Sequence, residues 1–250
     1  MKIIHLSDLH FHRDNKNNQE ALTTLKNVKT NYPDHYLIVT GDIVDDGHEH
    51  QYENVYNELK EFKDRIFIAP GNHDFGAVGS FYSKERAKRF DDMLSMPLKQ
   101  GGTFFAENRP VVNVVRDGSD TVTFIALDTN LETDHPFDFA CGEVGETQLN
   151  ALSTILSNPT VTEMKKVLFF HHHPFIHKDP FMELKDAAKL ARVIYNKVDV
   201  ILFGHKHVMG KRENRWGARY ILASDNSPGK RKAGEITIKD GTIKMKYVDI

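Results

Sequence analysis

The chain has 250 residues, 40% of them hydrophobic and 27% charged, the make-up of a folded globular protein and not of a disordered one. Its formal net charge is −2 with histidines neutral, so no overall positive field draws it to nucleic acid or to an anionic membrane, and small substrates start ahead of polymers. Cys141 is the single cysteine, which excludes an internal disulfide and makes a reducing cytoplasm the expected location.

The opening stretch, MKIIHLSDLH, is apolar only briefly, broken by His5 and Ser7 and ending in Asp8, too short for a membrane span or a secretory segment. It reads as a strand. KIIHLSD (2–8), HYLIVTGD (35–42) and RIFIAPGNHD (65–74) each run from apolar residues into a polar or glycine-containing end, as strands buried on both faces do. Between them, Leu22, Leu25 and Val28 mark a narrow helical stripe over 17–30, and Tyr52, Val55, Tyr56, Leu59 and Phe62 mark a wider one.

Residues 110–128 read as two strands around a turn at RDGSD, where Asp117-Gly118 supplies the positive φ that tight hairpins favour. A helix follows near 146–157, then the strand KKVLFF, a helix near 183–195, the strand VDVILFG, the strand ARYILAS and a hairpin turning at Asp240-Gly241. No repeat and no Pro/Gly-rich linker divides the chain. The expected organisation is one domain over 1–250, with two sheets facing each other and helices outside.

Chemistry-bearing residues collect at the strand ends. Asp8 and His10 close the first strand, Gly41-Asp42 the second, Asn72-His73-Asp74 the third, His171-His172-His173 a fourth, and His205 and His207 a fifth. In an open α/β sheet the loops beyond the carboxyl ends of strands converge on one crevice. Each motif alone has a bland explanation in turn chemistry, but five such ends in this order point to a shared site. His5 is expected to be a hydrogen-bonded core histidine, whereas His35, His48, His50, His135 and His177 are expected on surfaces or loops.

The ordered set Asp8-x-His10, Gly41-Asp42, Gly71-Asn72-His73-Asp74, His172-His173-Pro174 and Gly204-His205-Lys206-His207 resembles that of the calcineurin-like metallophosphoesterases. The resemblance implies a four-layer αββα sandwich of two mixed sheets with a two-metal site where they meet. By that pattern Asp8, His10, Asp42 and His207 hold one ion, and Asp42, Asn72, His172 and His205 hold the other, with Asp42 bridging. The ligand is taken as the histidine two before the proline, His172, while His171 turns to the other side of the strand and His173 flanks the site. Oxygen and imidazole donors without thiolate suit Mn, Fe or Zn ions. Such a pair clamps the oxygens of an in-line displacement at phosphorus and makes hydroxide available at neutral pH.

The resemblance also gives His73 the role of hydrogen-bonding the substrate phosphate and protonating the departing alkoxide. Asp74 either orients that imidazole or serves as a turn or cap residue. Protein phosphatases of this superfamily carry Arg after GDxVD, where this chain has Asp46, and Glu after GNH, where it has Asp74. Without that arginine the hold on a phosphomonoester dianion weakens. The chain looks more like the bacterial cyclic-nucleotide and glycerophosphodiester phosphodiesterase branch, so the expected substrate is a small phosphodiester.

A phosphomonoesterase and a nuclease are the alternatives, followed by a scaffold that has lost its chemistry. GKRENRWGARY (210–220) carries four basic residues with Trp216 and Tyr220, which could bind phosphates and stack bases, but reads first as a solvated strand pair and turn. PGKRKAG (228–234) reads as an exposed loop. The segments 76–103 and 129–146 carry no readable signature, and residues 128–143 are expected to cap the site. Nothing in the sequence fixes an oligomeric state.

Overall fold

The structure is a computed structural model that describes residues 1–131, 140–176, 179 and 181–250. His135, His177 and most of the expected cap lie outside the described residues.

The first third alternates strand and helix: β1 (Lys2–Leu6), α1 (Gln19–Asn31), β2 (Tyr36–Thr40), α2 (Glu49–Leu59) and β3 (Ile66–Ala69). Helix α1 buries Ala21, Thr24, Leu25 and Val28, and α2 buries Gln51, Tyr52, Val55 and Leu59, each the stripe that the three-and-four spacing requires. One helical turn, α3 (Asn72–Phe75), then leads into the small hairpin β4 (Gly76–Ala77) and β5 (Phe81–Tyr82) and into α4 (Lys84–Phe90). The hairpin of β6 (Val111–Asp117) and β7 (Asp120–Ala126) turns at Gly118, with φ +63°.

After it come α5 (Glu146–Leu156), α6 (Pro159–Thr162), β8 (Lys165–Phe169), α7 (Ala187–Ile194) and β9 (Val200–Phe203). The chain finishes with β10 (Gly210–Arg215), β11 (Ala218–Ala223), β12 (Lys232–Lys239) and β13 (Thr242–Asp249).

Two mixed sheets form, in the orders β13-β12-β1-β2-β3 and β10-β11-β9-β8-β7-β6. In the first, β1, β2 and β3 run parallel, β12 is antiparallel to β1, and β13 is antiparallel to β12. The second has a parallel centre of β11, β9, β8 and β7 with antiparallel β10 and β6 at its edges. Alternation explains the layering. Phe124, Val167, Phe169, Val200 and Leu202 enter one core with β1, β2, β3, α1 and α2, while Ile125, Leu168, Phe170, Ile201 and Phe203 enter a second with α5 and α7. Phe67 stacks on Phe124 at 4.4 Å, joining the sheets across the first core.

This packing places the carboxyl ends of the parallel strands of both sheets at one edge. The loops there are stitched together by their backbones: Asp8 N donates to Gly41 O at 3.1 Å, Gly204 N to His171 O at 3.0 Å and Asn226 N to Ser7 O at 2.9 Å. Outside the site, His5 is a core histidine as expected, its Nε2 2.9 Å from Thr40 Oγ1. His35 is not a bare surface residue, because its Nε2 lies 3.0 Å from the buried Glu235 carboxylate.

Candidate metal centre

Asp42 stands at the middle of the site. One carboxylate oxygen, Oδ1, accepts from the His73 backbone N–H at 2.9 Å. The other, Oδ2, lies 3.2 Å from His171 Nε2 and 4.0 Å from His10 Nε2, so it faces two groups of donors at once.

On one side, His10 Nε2 and His207 Nε2 are 3.4 Å apart and Asp8 Oδ1 is 3.7 Å from His207 Nε2. On the other side, Asn72 Oδ1 lies 2.9 Å from His171 Nε2 and 3.1 Å from His205 Nδ1, and these two nitrogens are 3.2 Å apart. The inward donors of Asp8, Asp42 and His171, and those of Asp8, His10 and His207, each fall within 4.8 Å of one another.

Two of the imidazoles have the outer nitrogen hydrogen-bonded, and the other two have a carboxylate within ion-pair distance. His171 Nδ1 lies 2.9 Å from Thr40 O, and a carbonyl only accepts, so Nδ1 carries the proton and Nε2 turns inward. His205 Nε2 lies 3.2 Å from Met182 O, which leaves Nδ1 inward. The Asp45 carboxylate is 3.7 Å from His10 Nδ1 and the Asp225 carboxylate is 3.9 Å from His207 Nδ1. Hydrogen bonds such as those of His171 and His205 fix the tautomer and aim of metal-binding histidines. Asp45, Asp225, Thr40 and Met182 were not singled out from sequence, and two of the four act through backbone carbonyls that carry no side-chain signal.

The backbone is bent to make this convergence. Asp8, His10, Asp42, His205 and His207 all have φ between +48° and +77°. Left-handed conformations cost non-glycine residues of order 1–3 kcal/mol each and persist where function needs them. Gly41, at φ +81°, lets the Asp42 turn pass under His171, since a Cβ there would stand 2.6 Å from His171 Nδ1.

The structure places the histidine triplet differently from the sequence expectation, with His171 facing the site. His171 is the one whose Nε2 meets Asp42 at 3.2 Å and Asn72 at 2.9 Å, while His172 turns to Thr129. The Nδ1 of His172 lies 2.7 Å from Thr129 Oγ1 and its Nε2 is buried without a hydrogen-bond partner. The reason is strand parity: Val167 and Phe169 face the intersheet core and Phe170 the outer core, so His171 continues the inner face and His172 the outer. His173 flanks, its ring 4.8 Å from that of Phe203.

The structure therefore brings together Asp8, His10, Asp42, Asn72, His205 and His207 of the expected set, with His171 in the place given to His172. His73 lies beside them, its ring 4.7 Å from that of His10. Asp74 behaves as a turn residue. Its carboxylate accepts from the N–H groups of Gly71 (2.8 Å), Val44 (2.9 Å) and Ile43 (3.3 Å), while His73 Nδ1 is bound by Asp45 O at 2.7 Å instead.

The electrostatics are those of a cluster short of positive charge. Burial, joined by the neighbouring Asp42, pushes Asp8 up to about 6 despite its histidine neighbours. Burial opposes protonation of His171, but the carboxylates of Asp42 and Asp8 outweigh it and hold His171 at about 9. His205 is pushed down to about 3, by burial first and His171 second, and His10 to about 4, chiefly by burial. Two buried carboxylates, one amide oxygen and four inward imidazole nitrogens fit cations of the Mn, Fe or Zn kind, and thiolate is absent from the set.

The family model for calcineurin-like phosphoesterases matches residues 1–209. The chain belongs to this family. Among curated relatives, the phosphoesterase is 22% identical over 218 residues to a probable cyclic nucleotide phosphodiesterase of Coxiella burnetii, covering 83% of this chain and 76% of that one. It is also 22% identical over 240 residues to a 3′,5′-cyclic adenosine monophosphate phosphodiesterase of Haemophilus influenzae, covering 90% and 75%. Among solved structures, a dimetal phosphatase from Danio rerio superposes with a TM-score of 0.70 at 14% identity, covering 99% of this chain and 95% of that one, which is a likeness of fold. Among the described residues, no helix of this phosphoesterase is long and apolar enough to cross a membrane.

Proposed function

We propose that this phosphoesterase is a dinuclear metal-dependent phosphodiesterase acting on small diesters of the cyclic-nucleotide or glycerophosphodiester type. The observation that carries the reading is the convergence of four histidines, two carboxylates and one amide around Asp42, with the outer nitrogens of His171 and His205 hydrogen-bonded to backbone carbonyls so that their other nitrogens turn inward. Asp8, His10, Asp42 and His207 would hold one ion, and Asp42, Asn72, His171 and His205 the other. When bound, such a pair supplies Lewis-acid polarisation of the phosphoryl oxygens and a lowered pKa for coordinated water.

The chain's own residues do the rest. Asp45 O holds the Nδ1 proton of His73, which leaves Nε2 as the nitrogen that exchanges a proton with substrate. A protonated His73 delivers that proton to the departing alkoxide. The His73 N–H in turn fixes Asp42, so general acid and carboxylate are set by one turn of backbone.

Preference for a diester follows from the charges. The ion-pair partners of Asp8, Asp42, Asp45 and Asp225 among the described residues are histidines, and Arg13, which reaches the loop 43–48, is taken up by Asp46 at 2.7 Å. Among the described residues, none of these site carboxylates pairs with an arginine that could fork onto a phosphomonoester dianion. The curated relatives, described as cyclic nucleotide phosphodiesterases, support the same side. The basic stretch 210–220 gives the nuclease reading no support: Lys211 and Arg219 pair with Glu213, while Arg212 and Arg215 lie over the Phe175 ring.

The test is turnover of bis-p-nitrophenyl phosphate against p-nitrophenyl phosphate by Mn²⁺-reconstituted protein, with a chelator-stripped control. Metal-dependent preference for the diester is expected. Preference for the monoester would make this a phosphatase.

A further inference from the structure

The hairpin β4–β5 belongs to none of the ligand-bearing motifs, yet its tip touches two residues of the site. Gly79 O accepts from Asn72 Nδ2 at 2.9 Å, which turns Asn72 Oδ1 toward His171 and His205. Gly79 also stands against the Nε2 edge of His73, where a Cβ would lie 2.5 Å from that nitrogen.

The tip is held from below. Ala77 pairs with Phe81 and Gly76 with Tyr82, Ser80 N donates to Ala77 O at 3.0 Å, and Ser83 N donates to Phe75 O at 2.8 Å. The Tyr82 ring packs edge-on to Phe75 at 6.2 Å, so Phe81, next along the strand, faces away from that core. Val78 sits at φ +47°, a conformation that a β-branched residue adopts only where its surroundings impose it. Val78 and Phe81 are 70% and 63% exposed. Two large apolar side chains are thus held in water on the hairpin whose tip, at Gly79, stands against the nitrogen that faces the substrate.

We propose that this hairpin is the leaving-group wall of the site, and that Val78 and Phe81 receive the apolar or aromatic body of the departing alcohol, as in a nucleoside or aryl ester. The inference rests on the reading of His73 as proton donor to the leaving oxygen, because whatever stands at the Nε2 edge of His73 then stands beside the leaving group. The bare Cα of Gly79 keeps that edge open.

The test compares the unaltered chain with Val78→Ser/Phe81→Ser and with Phe81→Ser alone, each reloaded with Mn²⁺. The substrates are bis-p-nitrophenyl phosphate and methyl p-nitrophenyl phosphate. Both release p-nitrophenolate, so the chemistry is constant, and the methyl ester carries an aromatic body only on the leaving side. The double variant should raise KM roughly tenfold, by the same factor for both substrates, with kcat within about threefold and Mn²⁺ content unchanged; Phe81→Ser alone should show a smaller shift in the same direction. Unchanged KM, a rise confined to the bis ester, or loss of Mn²⁺ would overturn the wall. No metal-dependent turnover by the unaltered chain would overturn the catalytic reading and the wall with it, and that outcome is seen before any variant is assayed.

Discussion

His171 gives its Nδ1 proton to Thr40 O and turns Nε2 to Asp42, whereas His172 pairs with Thr129 and packs its ring against His205, 4.5 Å between centroids. His171→Ala should therefore lose one metal equivalent and most turnover, while His172→Ala should keep both ions and lose stability by about 2–4 kcal/mol, as a buried ring removed from a packed layer does. Metal analysis beside a urea melt separates the two. His73→Ala should keep its metal and lose roughly 10²–10⁴-fold in turnover of esters with poor leaving groups, with little loss for p-nitrophenolate esters. Equal losses for both would remove the proton-donor role.

Most of these residues were legible in the sequence because their motifs end strands and the chemistry needs carboxylate and imidazole there. Which histidine of the triplet turns inward is not legible in VLFF, which is apolar on both faces: a strand buried on both sides hides its parity, and only the sheet partner reveals which face is inner. Thr40 and Met182 leave no signal in the sequence because they orient His171 and His205 through backbone carbonyls.

At the scale of elements, strands and helices with a long apolar period were readable and the segment after His73 was not. Its structure depends on contacts distant in sequence. A wide turn at Asp91–Ser95 follows α4, and the Asp91 carboxylate accepts from the N–H groups of Phe104, Phe105 and Ala106 at 2.8, 2.9 and 3.3 Å, closing a loop that no local pattern announces. Asp91→Ala should cost roughly 2–4 kcal/mol of stability, because these amides lose a charged acceptor, without changing metal content; a denaturant titration with metal analysis checks it.

The β12–β13 turn offers a pH test. The backbone amides of Gly241 and Asp240 donate to Asp120 and hold its carboxyl below the usual 3.8. A carboxylate depressed on folding contributes stability that is present above its unfolded pKa and is lost as pH falls through the folded value. Asp120→Asn should therefore flatten the fall in stability below about pH 4, measured by thermal melts across pH, whereas a parallel curve would show that the clamp does not titrate with folding.

Across the whole molecule, the matched family region ends at 209, but the first sheet does not. Strand β12 pairs with β1 along Lys2–His5, directly before Asp8, and Ile236 and Ile238 enter the intersheet core. We therefore take 1–250 as one folding unit. Removing residues 232–250 should unfold the chain and not merely shorten it, a prediction that loss of a cooperative melt would bear out and a folded, metal-binding truncation would contradict. The sandwich was foreseeable from alternating β and α segments with antiparallel hairpins. The left-handed turns that fold five site residues inward were not, because only Asp and His, which tolerate such backbone, hint at them.

The most direct measurement is Mn²⁺ stoichiometry by metal analysis after equilibrium dialysis of the unaltered chain, His171→Ala and His172→Ala. Two ions per chain, one and two respectively, are expected if His171 completes a two-ion site around Asp42. No tightly bound ion in the unaltered chain, or loss of an ion from His172→Ala with both retained in His171→Ala, would contradict it.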